Sequence, residues 1–304
     1  MIENKFPLAS LVVVFYKQEK YVKDTIAGAL SQTYQNLEII LSDDNSPDNT
    51  FEEIKDAVKN YHGPHKIIVN KNDTNLGLVS HVNKALFELS HGDYIFLNGG
   101  DDISLPQRVE RGVCAFEDNV NIAAVTFSRI IIDKYGKEIG RVEVSREAIS
   151  VIDKAYMKSY IFMAGGGALS LRRTLLDFFG RLNDDCQTED STLRFRALLL
   201  GGIMCLPTYG LKYRVHDNNI SRRLDNFDTD AIVHQYEVDL LHVKDKLSRN
   251  LRVGLLNKIR FYRNYRGMLV AHEQANSLIQ RGYLRIRMLC VKVIYRITVL
   301  MMPL

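Results

Sequence analysis

The chain is poor in cysteine: only Cys114, Cys186, Cys205 and Cys290 occur among its 304 residues. Four thiols at these spacings form neither a disulfide framework nor a metal-binding cluster, so a reducing, cytosolic compartment is expected. No apolar run approaches the roughly 20 uninterrupted residues that a membrane-spanning helix needs. The first residues lack a basic, then apolar, then small-residue order, so no secretory leader is expected. Acidic side chains are nearly missing from one end. Between residues 240 and 304 only Asp245 and Glu273 stand against 13 Lys and Arg, a local charge of +11 inside a net charge of +4. The rest of the chain is therefore acidic, and an anionic surface is the expected partner of the basic end. No recognised nucleic-acid motif accompanies that charge, so nucleic acid is not the expected partner.

What is present suits a globular chain, 46% hydrophobic and 25% charged, large enough for one sizeable domain with an appendage. Residues 8–15 (LASLVVVF), 37–41 (LEIIL), 66–70, 93–97 (DYIFL) and 123–132 read as strands, the first of them buried because it is β-branched and nearly continuous in hydrophobicity. Between them 19–32, a segment from 51, 79–89 and 104–116 read as helices; Val22, Ile26, Ala29 and Leu30 share one face of the first. Pro106 falls in the expected first turn of the helix at 104–116. Alternation of this kind predicts an α/β fold whose mostly parallel sheet is covered on both faces. Residues 140–164 carry no legible pattern, and Gly165-Gly166-Gly167 offers bare backbone that a ligand can approach. Helices at 172–179 and 191–200 and a strand at 209–215 follow, with a basic helical region from about 225 and a boundary near Arg223.

Two acid pairs close two of the strands. Asp43-Asp44 follows LEIIL, and Asp101-Asp102 follows DYIFL across Asn98-Gly99-Gly100. Open α/β sheets hold ligands beyond the carboxyl ends of their strands, so the pairs suggest one oxygen-rich site for a divalent cation and an anionic nucleotide. A third acidic segment, Thr188-Glu189-Asp190, stands at the start of an expected helix, where the helix dipole favours a charged carboxylate.

These segments together resemble the inverting family 2 glycosyltransferases. The similarity runs through LASLVVVFYKQEKYVKDTIAGALSQTYQNLEIILSDDNSPDNT, NLGLVSHVNKAL, GDYIFLNGGDDISLPQRVE, TEDSTLRFRALLLGG and YRVHDNNIS, in the family's order over about residues 8–222. The resemblance implies a GT-A fold, a Rossmann-like mixed sheet flanked by helices, over residues 1–223. Its nucleotide-binding part would span about 1–103 and its acceptor-binding part 104–223, with 224–304 as a basic helical extension. It further implies a nucleotide-sugar donor, with a UDP-sugar favoured because a carboxylate at Asp44 can accept the imide N–H of a pyrimidine base. Phe15, Asn75, Gly77, Gly100 and Asp101 match other nucleotide-binding positions. Asp101 corresponds to the last acid of the family's metal motif and would hold Mn2+ or Mg2+ together with the diphosphate. His216 corresponds to a metal ligand of some relatives, Arg214 would lie near the diphosphate, Asp190 would be the catalytic base, and Glu189 would orient or bind the acceptor. The chain departs from the pattern at Gly99, where many relatives carry the first acid; Asp102 or backbone would have to substitute for it.

Each of these residues has a plainer reading. Asp101-Asp102 would simply begin the next helix, Asp44 or Asp48 would cap a turn, and Glu189-Asp190 would stabilise a helix start. Arg172, Arg173 and Arg194 read as a solvated helix face. The resemblance also leaves open a sugar nucleotidyltransferase, which the absence of a Gly-rich basic loop after the first strand disfavours, and a non-catalytic nucleotide-sugar-binding protein, which Gly99 encourages. Near the carboxyl terminus, Arg281, Arg285, Lys292 and Arg296 fall on one helical stripe, with Leu284, Met288, Leu289, Val291, Ile294 and Tyr295 around much of the rest. Such a helix either lies in an anionic membrane interface or packs on protein. The setting implied is a cytoplasmic enzyme, peripheral at the inner face of the cell membrane, that transfers a hexose to a saccharide or lipid-linked saccharide in surface-polysaccharide or O-antigen synthesis.

Overall fold

The computed structural model describes residues 6–150, 168–217, 219, 228–274 and 278–300. The expected boundary near Arg223 and the glycine run 165–167 lie outside the described residues. Three parallel strands form first: β1 (Ala9–Phe15), β2 (Leu37–Asp43) and β3 (Lys66–Lys71). Helices α1 (Val22–Leu30), α2 (Thr50–Val58) and α3 (Leu78–Lys84, continued by a π-turn through Leu89) connect them and lead to β4 (Tyr94–Gly99). All seven residues of β2 are buried, as a strand covered on both faces must be.

The second half is antiparallel where it meets the first. A two-residue strand β5 (Ile103–Ser104) precedes α4 (Arg108–Asp118), β6 (Ala124–Ile132), β7 (Glu138–Val142) and β8 (Glu147–Ile149). Then come β9 (Ser170–Arg172), α5 (Arg173–Phe179), α6 (Glu189–Leu200) and β10 (Ile203–Arg214). The main path of the sheet runs β3-β2-β1-β4-β9-β6-β10-β5, with β7 on β6 and β8 on β10. Strand β9 is antiparallel to both β4 and β6, so the expected mostly parallel sheet is a mixed one. The helix expected from Ser104 starts only at Arg108, because Ile103 and Ser104 pair with Lys212 and Leu211 of β10.

The sheet has a core on each face. Residues of α1, α2 and α4 cover one side. On the other, β1, β2 and α3 share a continuous apolar cluster with α5, α6, α7 (Thr229–His242), α8 (Arg249–Gln274) and α9 (Leu278–Leu300). Arg196 of α6 and Asp239 of α7 form an ion pair of 2.9 Å with side chains only 1% and 2% exposed, and Arg196 also donates to the Gly180 carbonyl at 2.7 Å. Removal of either partner would strand a buried charge. This pair therefore fastens the carboxyl-terminal helices to the helix that carries Glu189 and Asp190.

The three arginines read as a solvated face are not solvated. Arg172 donates to the carbonyls of Ile122 and Phe116, and Arg173 to those of Gly92, Leu86 and Ser90, tying β9 and α5 to neighbouring loops. Arg194 is 2% exposed.

Candidate active site

Parallel pairing aligns the strand ends. Phe15 lies opposite Asp43, and Val14 opposite Gly99, so Asp44 and Asp101 project just beyond strands that flank β1. Neighbouring strands lie about 4.8 Å apart, which puts these two ends about 10 Å from one another.

The Asp101 turn is built by close packing. Gly100 lies against the Phe15 ring, and a Cβ there would come within 2.3 Å of it, so no larger residue fits. Phe15 is itself buried, forming the floor of the turn. Arg108, also buried, donates to Asn98 Oδ1 at 2.9 Å, Ser104 Oγ at 3.0 Å and the Leu97 carbonyl at 2.6 Å, and so braces the turn from below. Asp101 and Asp102 stand well before the N-cap of α4 at Gln107, and neither caps that helix.

The two acids then part company. Asp102 is buried, accepts the backbone N–H of Arg214 at 2.8 Å, and has its pKa pushed well up by burial and by the charge of Asp101. It points inward, so the suggestion that it substitutes for the missing first acid does not hold. Asp101 stays partly exposed, and its Oδ2 lies 2.9 Å from His216 Nε2. Asn219 Nδ2 approaches the same oxygen at 3.4 Å. The β5–β10 ladder explains the encounter, since antiparallel pairing of Ile103 with Lys212 brings residues before 103 against those after 212.

Arg214 fastens this arrangement. Its guanidinium donates to the Asp101 carbonyl at 2.9 Å and to Asp24 Oδ2 at 3.0 Å, while lying 4.7 Å from the Tyr21 ring centroid. Tyr21 in turn stacks on His216 with centroids 5.1 Å apart. At 1% exposure and with these partners the Arg214 side chain is a clasp on the Asp101 turn. Tyr21 and Asp24 escaped sequence reading because nothing in α1 announces a partner about 190 residues away.

Asp44 is wholly engaged by its own chain. Oδ1 accepts Asn72 Nδ2 at 2.8 Å and the Leu76 N–H at 2.9 Å; Oδ2 accepts Asn75 Nδ2 at 3.1 Å and the Gly77 N–H at 3.0 Å. Four donors match the roughly four lone-pair sites of a carboxylate. Gly77 adopts φ 80°, a conformation that favours glycine, and opens α3. Asp48, by contrast, does serve the start of α2, accepting the Thr50 hydroxyl at 2.6 Å.

The third acidic segment is tied to that same loop region. Ser80 in the first turn of α3 donates to Asp184 Oδ1 at 3.0 Å, and Asn83 donates to the Leu182 carbonyl at 2.8 Å. Glu189 and Asp190 follow in the first turn of α6, with Asp190 Oδ1 accepting the Ser191 N–H at 2.7 Å. Burial, and next the charge of Asp190, push Glu189 up to about 8. Near neutral pH Glu189 therefore keeps its proton. The buried Arg194, one turn on, interacts favourably with the Asp190 charge. Arg129 acts electrostatically on both Arg194 and Asp102.

A raised carboxyl pKa has a definite sign in stability. Glu189 favours the folded state while protonated, and that contribution is lost as pH rises from the ordinary carboxyl value through about 8. Glu189→Gln is accordingly expected to raise Tm by about 3 °C or more above pH 8 and to change it little at pH 5, as read by thermal melts across that range.

Among the described residues no group of three or more His, Cys, Asp or Glu side chains is placed to hold a metal ion. The pair Asp101–His216 nevertheless fits a hard cation that takes its remaining ligands from a diphosphate. Adjacent ligands of an octahedral ion at about 2.1 Å lie about 3 Å apart, the spacing these two atoms show.

The profile of the Glycosyl transferase family 2 domain matches residues 10–180. The chain belongs to this family. Among curated relatives, the putative glycosyltransferase EpsE of Bacillus subtilis (strain 168) is 31% identical over 179 residues, which is 56% of this chain and 63% of EpsE. The family 2 chain thus matches less than two thirds of that relative's length. Among solved structures, S. aureus TarS 1-349 in complex with UDP-GlcNAc superimposes with a TM-score of 0.64 at 15% identity, covering 95% of this chain and 90% of that 1-349 chain. The mannosyltransferase PcManGT from Pyrobaculum calidifontis, in complex with GDP-Man and Mn2+, gives 0.60 at 13% identity over 98% and 88% of the two chains. The fold is therefore GT-A, with carboxyl-terminal helices added.

Proposed function

We propose that this family 2 glycosyltransferase transfers a hexose, with inversion, from a nucleotide sugar to a hydroxyl of a saccharide acceptor. The observation that carries the reading is the Asp101–His216 pair at 2.9 Å beyond β4, facing the same strand ends as the Asp44 loop. Asp101 and His216 would hold Mn2+ or Mg2+, which supplies charge neutralisation to the departing nucleoside diphosphate. Asp44 shapes the nucleobase side through the loop 72–77, and its saturated carboxylate supports a role in building that wall; Asn75 and Gly77 belong to the same wall. Phe15 and Gly100 set the depth of the diphosphate floor. Asp190 takes the acceptor hydroxyl proton as that oxygen attacks the anomeric carbon. Glu189, protonated, donates a hydrogen bond to the acceptor.

A UDP-sugar is the favoured donor, supported by the UDP-GlcNAc bound to TarS, whereas GDP-Man in PcManGT marks the alternative. Surface-polysaccharide synthesis is the proposed setting, and a lipid-diphosphate carrier at the inner face of the cell membrane is the version that the basic helices favour. The test is calorimetry with UDP, dTDP and GDP sugars, with and without Mn2+, followed by an assay of nucleoside diphosphate release with saccharide acceptors. Metal-enhanced binding of one nucleotide class and acceptor-dependent release are expected. Tight donor binding without acceptor-dependent release across an acceptor panel would instead favour a binding protein.

A further inference from the structure

Helix α9 has two apolar faces, and only one is used. Val291 and Tyr295 pack into the core, with the Tyr295 ring stacked 4.3 Å from Phe261 of α8 and Lys292 Nζ 4.9 Å over Tyr265. Thus the packed reading of this helix holds for the stripe that contains Val291 and Tyr295. At about 3.6 residues per turn, Tyr283, Ile286 and Leu289 point away from that stripe. They are 61%, 64% and 62% exposed. Arg287 borders this outward face on one side, its guanidinium 5.7 Å from the Tyr283 ring, and exposed Arg285 borders it on the other.

We propose that this outward stripe docks on an anionic phospholipid bilayer, with Tyr283, Ile286 and Leu289 entering the interface and Arg285 and Arg287 meeting the headgroups. Apolar residues edged by cations are the composition of an interfacial helix. No described helix is long and apolar enough to cross a membrane, so α9 lies along the surface. A second copy of the chain is a poorer occupant. Residues 278–300 contain no Asp or Glu, so two such faces would set cation against cation. The basic balance of residues 240–304 adds attraction to the same anionic surface. The inference is independent of the transfer chemistry, because vesicle binding is read without donor or acceptor.

The test is co-sedimentation of the full chain with vesicles of phosphatidylcholine alone or mixed with phosphatidylglycerol, at low and raised salt. Binding to the anionic vesicles only, weakened by salt, is expected. Ile286→Asp with Leu289→Asp should lower the partition at least about tenfold, since the change replaces both aliphatic side chains that enter the interface by charges of the headgroups' own sign. Arg285→Glu with Arg287→Glu should do the same while leaving the apolar residues intact, which keeps the test decisive should the aspartate pair disturb folding. Equal sedimentation with neutral and anionic vesicles, or unchanged binding by both double variants, would overturn the proposal. So would a concentration-dependent dimer in analytical ultracentrifugation that the aspartate pair abolishes, which would assign the stripe to a second copy.

Discussion

Asp190→Asn is expected to lower turnover by about 10²–10⁴-fold, the usual contribution of a positioned general base, while donor affinity stays within about twofold. Three features support the size of this effect. Glu189 is pushed up to about 8 by burial and by its neighbour, so it keeps a proton near neutral pH and is a poor substitute base. Arg194, buried one turn along α6, favours the anion at Asp190. The amide oxygen of asparagine can still accept the Ser191 N–H that Asp190 Oδ1 accepts at 2.7 Å, so the helix start should survive the change. Steady-state release of nucleoside diphosphate, set beside calorimetric donor affinity, checks the split. Turnover near that of the unmodified chain would remove Asp190 from the mechanism.

Asp101→Asn should act on a different quantity. Its expected effect is loss of the metal-dependent part of nucleotide affinity, about 10²-fold, because a neutral amide cannot balance a dication as a carboxylate does. The amide oxygen can still meet His216 at the position of Oδ2, and the Arg214 clasp on the Asp101 carbonyl is untouched, so the turn should keep its shape. Calorimetry with nucleoside diphosphate in the presence and absence of Mn2+ separates this from a folding defect. The variant should bind equally weakly in both conditions. Full metal enhancement in the variant would place the cation elsewhere.

The half of the fold built from long apolar strands was legible in the sequence. Strands β1, β2 and β4 announce themselves as largely apolar runs. What escaped was short or dependent on remote pairing. Strand β9 has three residues, Ser170–Arg172, too few to show a period, yet it turns a parallel sheet into a mixed one. At the site, the encounter of Asp101 with His216 followed from the family resemblance and is present in the structure. The inward turn of Asp102, the engagement of Asp44 by four donors and the clasp of Arg214 on Tyr21 and Asp24 were not legible. Each depends on contacts between segments far apart in the chain, where periodicity carries no information. On α9 the sequence showed basic and apolar positions but could not say which apolar stripe the protein itself would cover.

Gly99 bears on the electrical balance of the loaded site. A Cβ at that position would lie 2.8 Å from Asp101 Oδ1, so a second acid there would have to displace the first. A divalent cation held there by one carboxylate and a neutral imidazole would keep one positive charge that the protein does not balance; a two-acid centre would leave none. That surplus would attract the nucleoside diphosphate more strongly than the sugar-bearing donor, since cleavage adds a negative charge to the phosphate. Under the proposed chemistry, such a site would hold the spent nucleotide more tightly than the donor it came from.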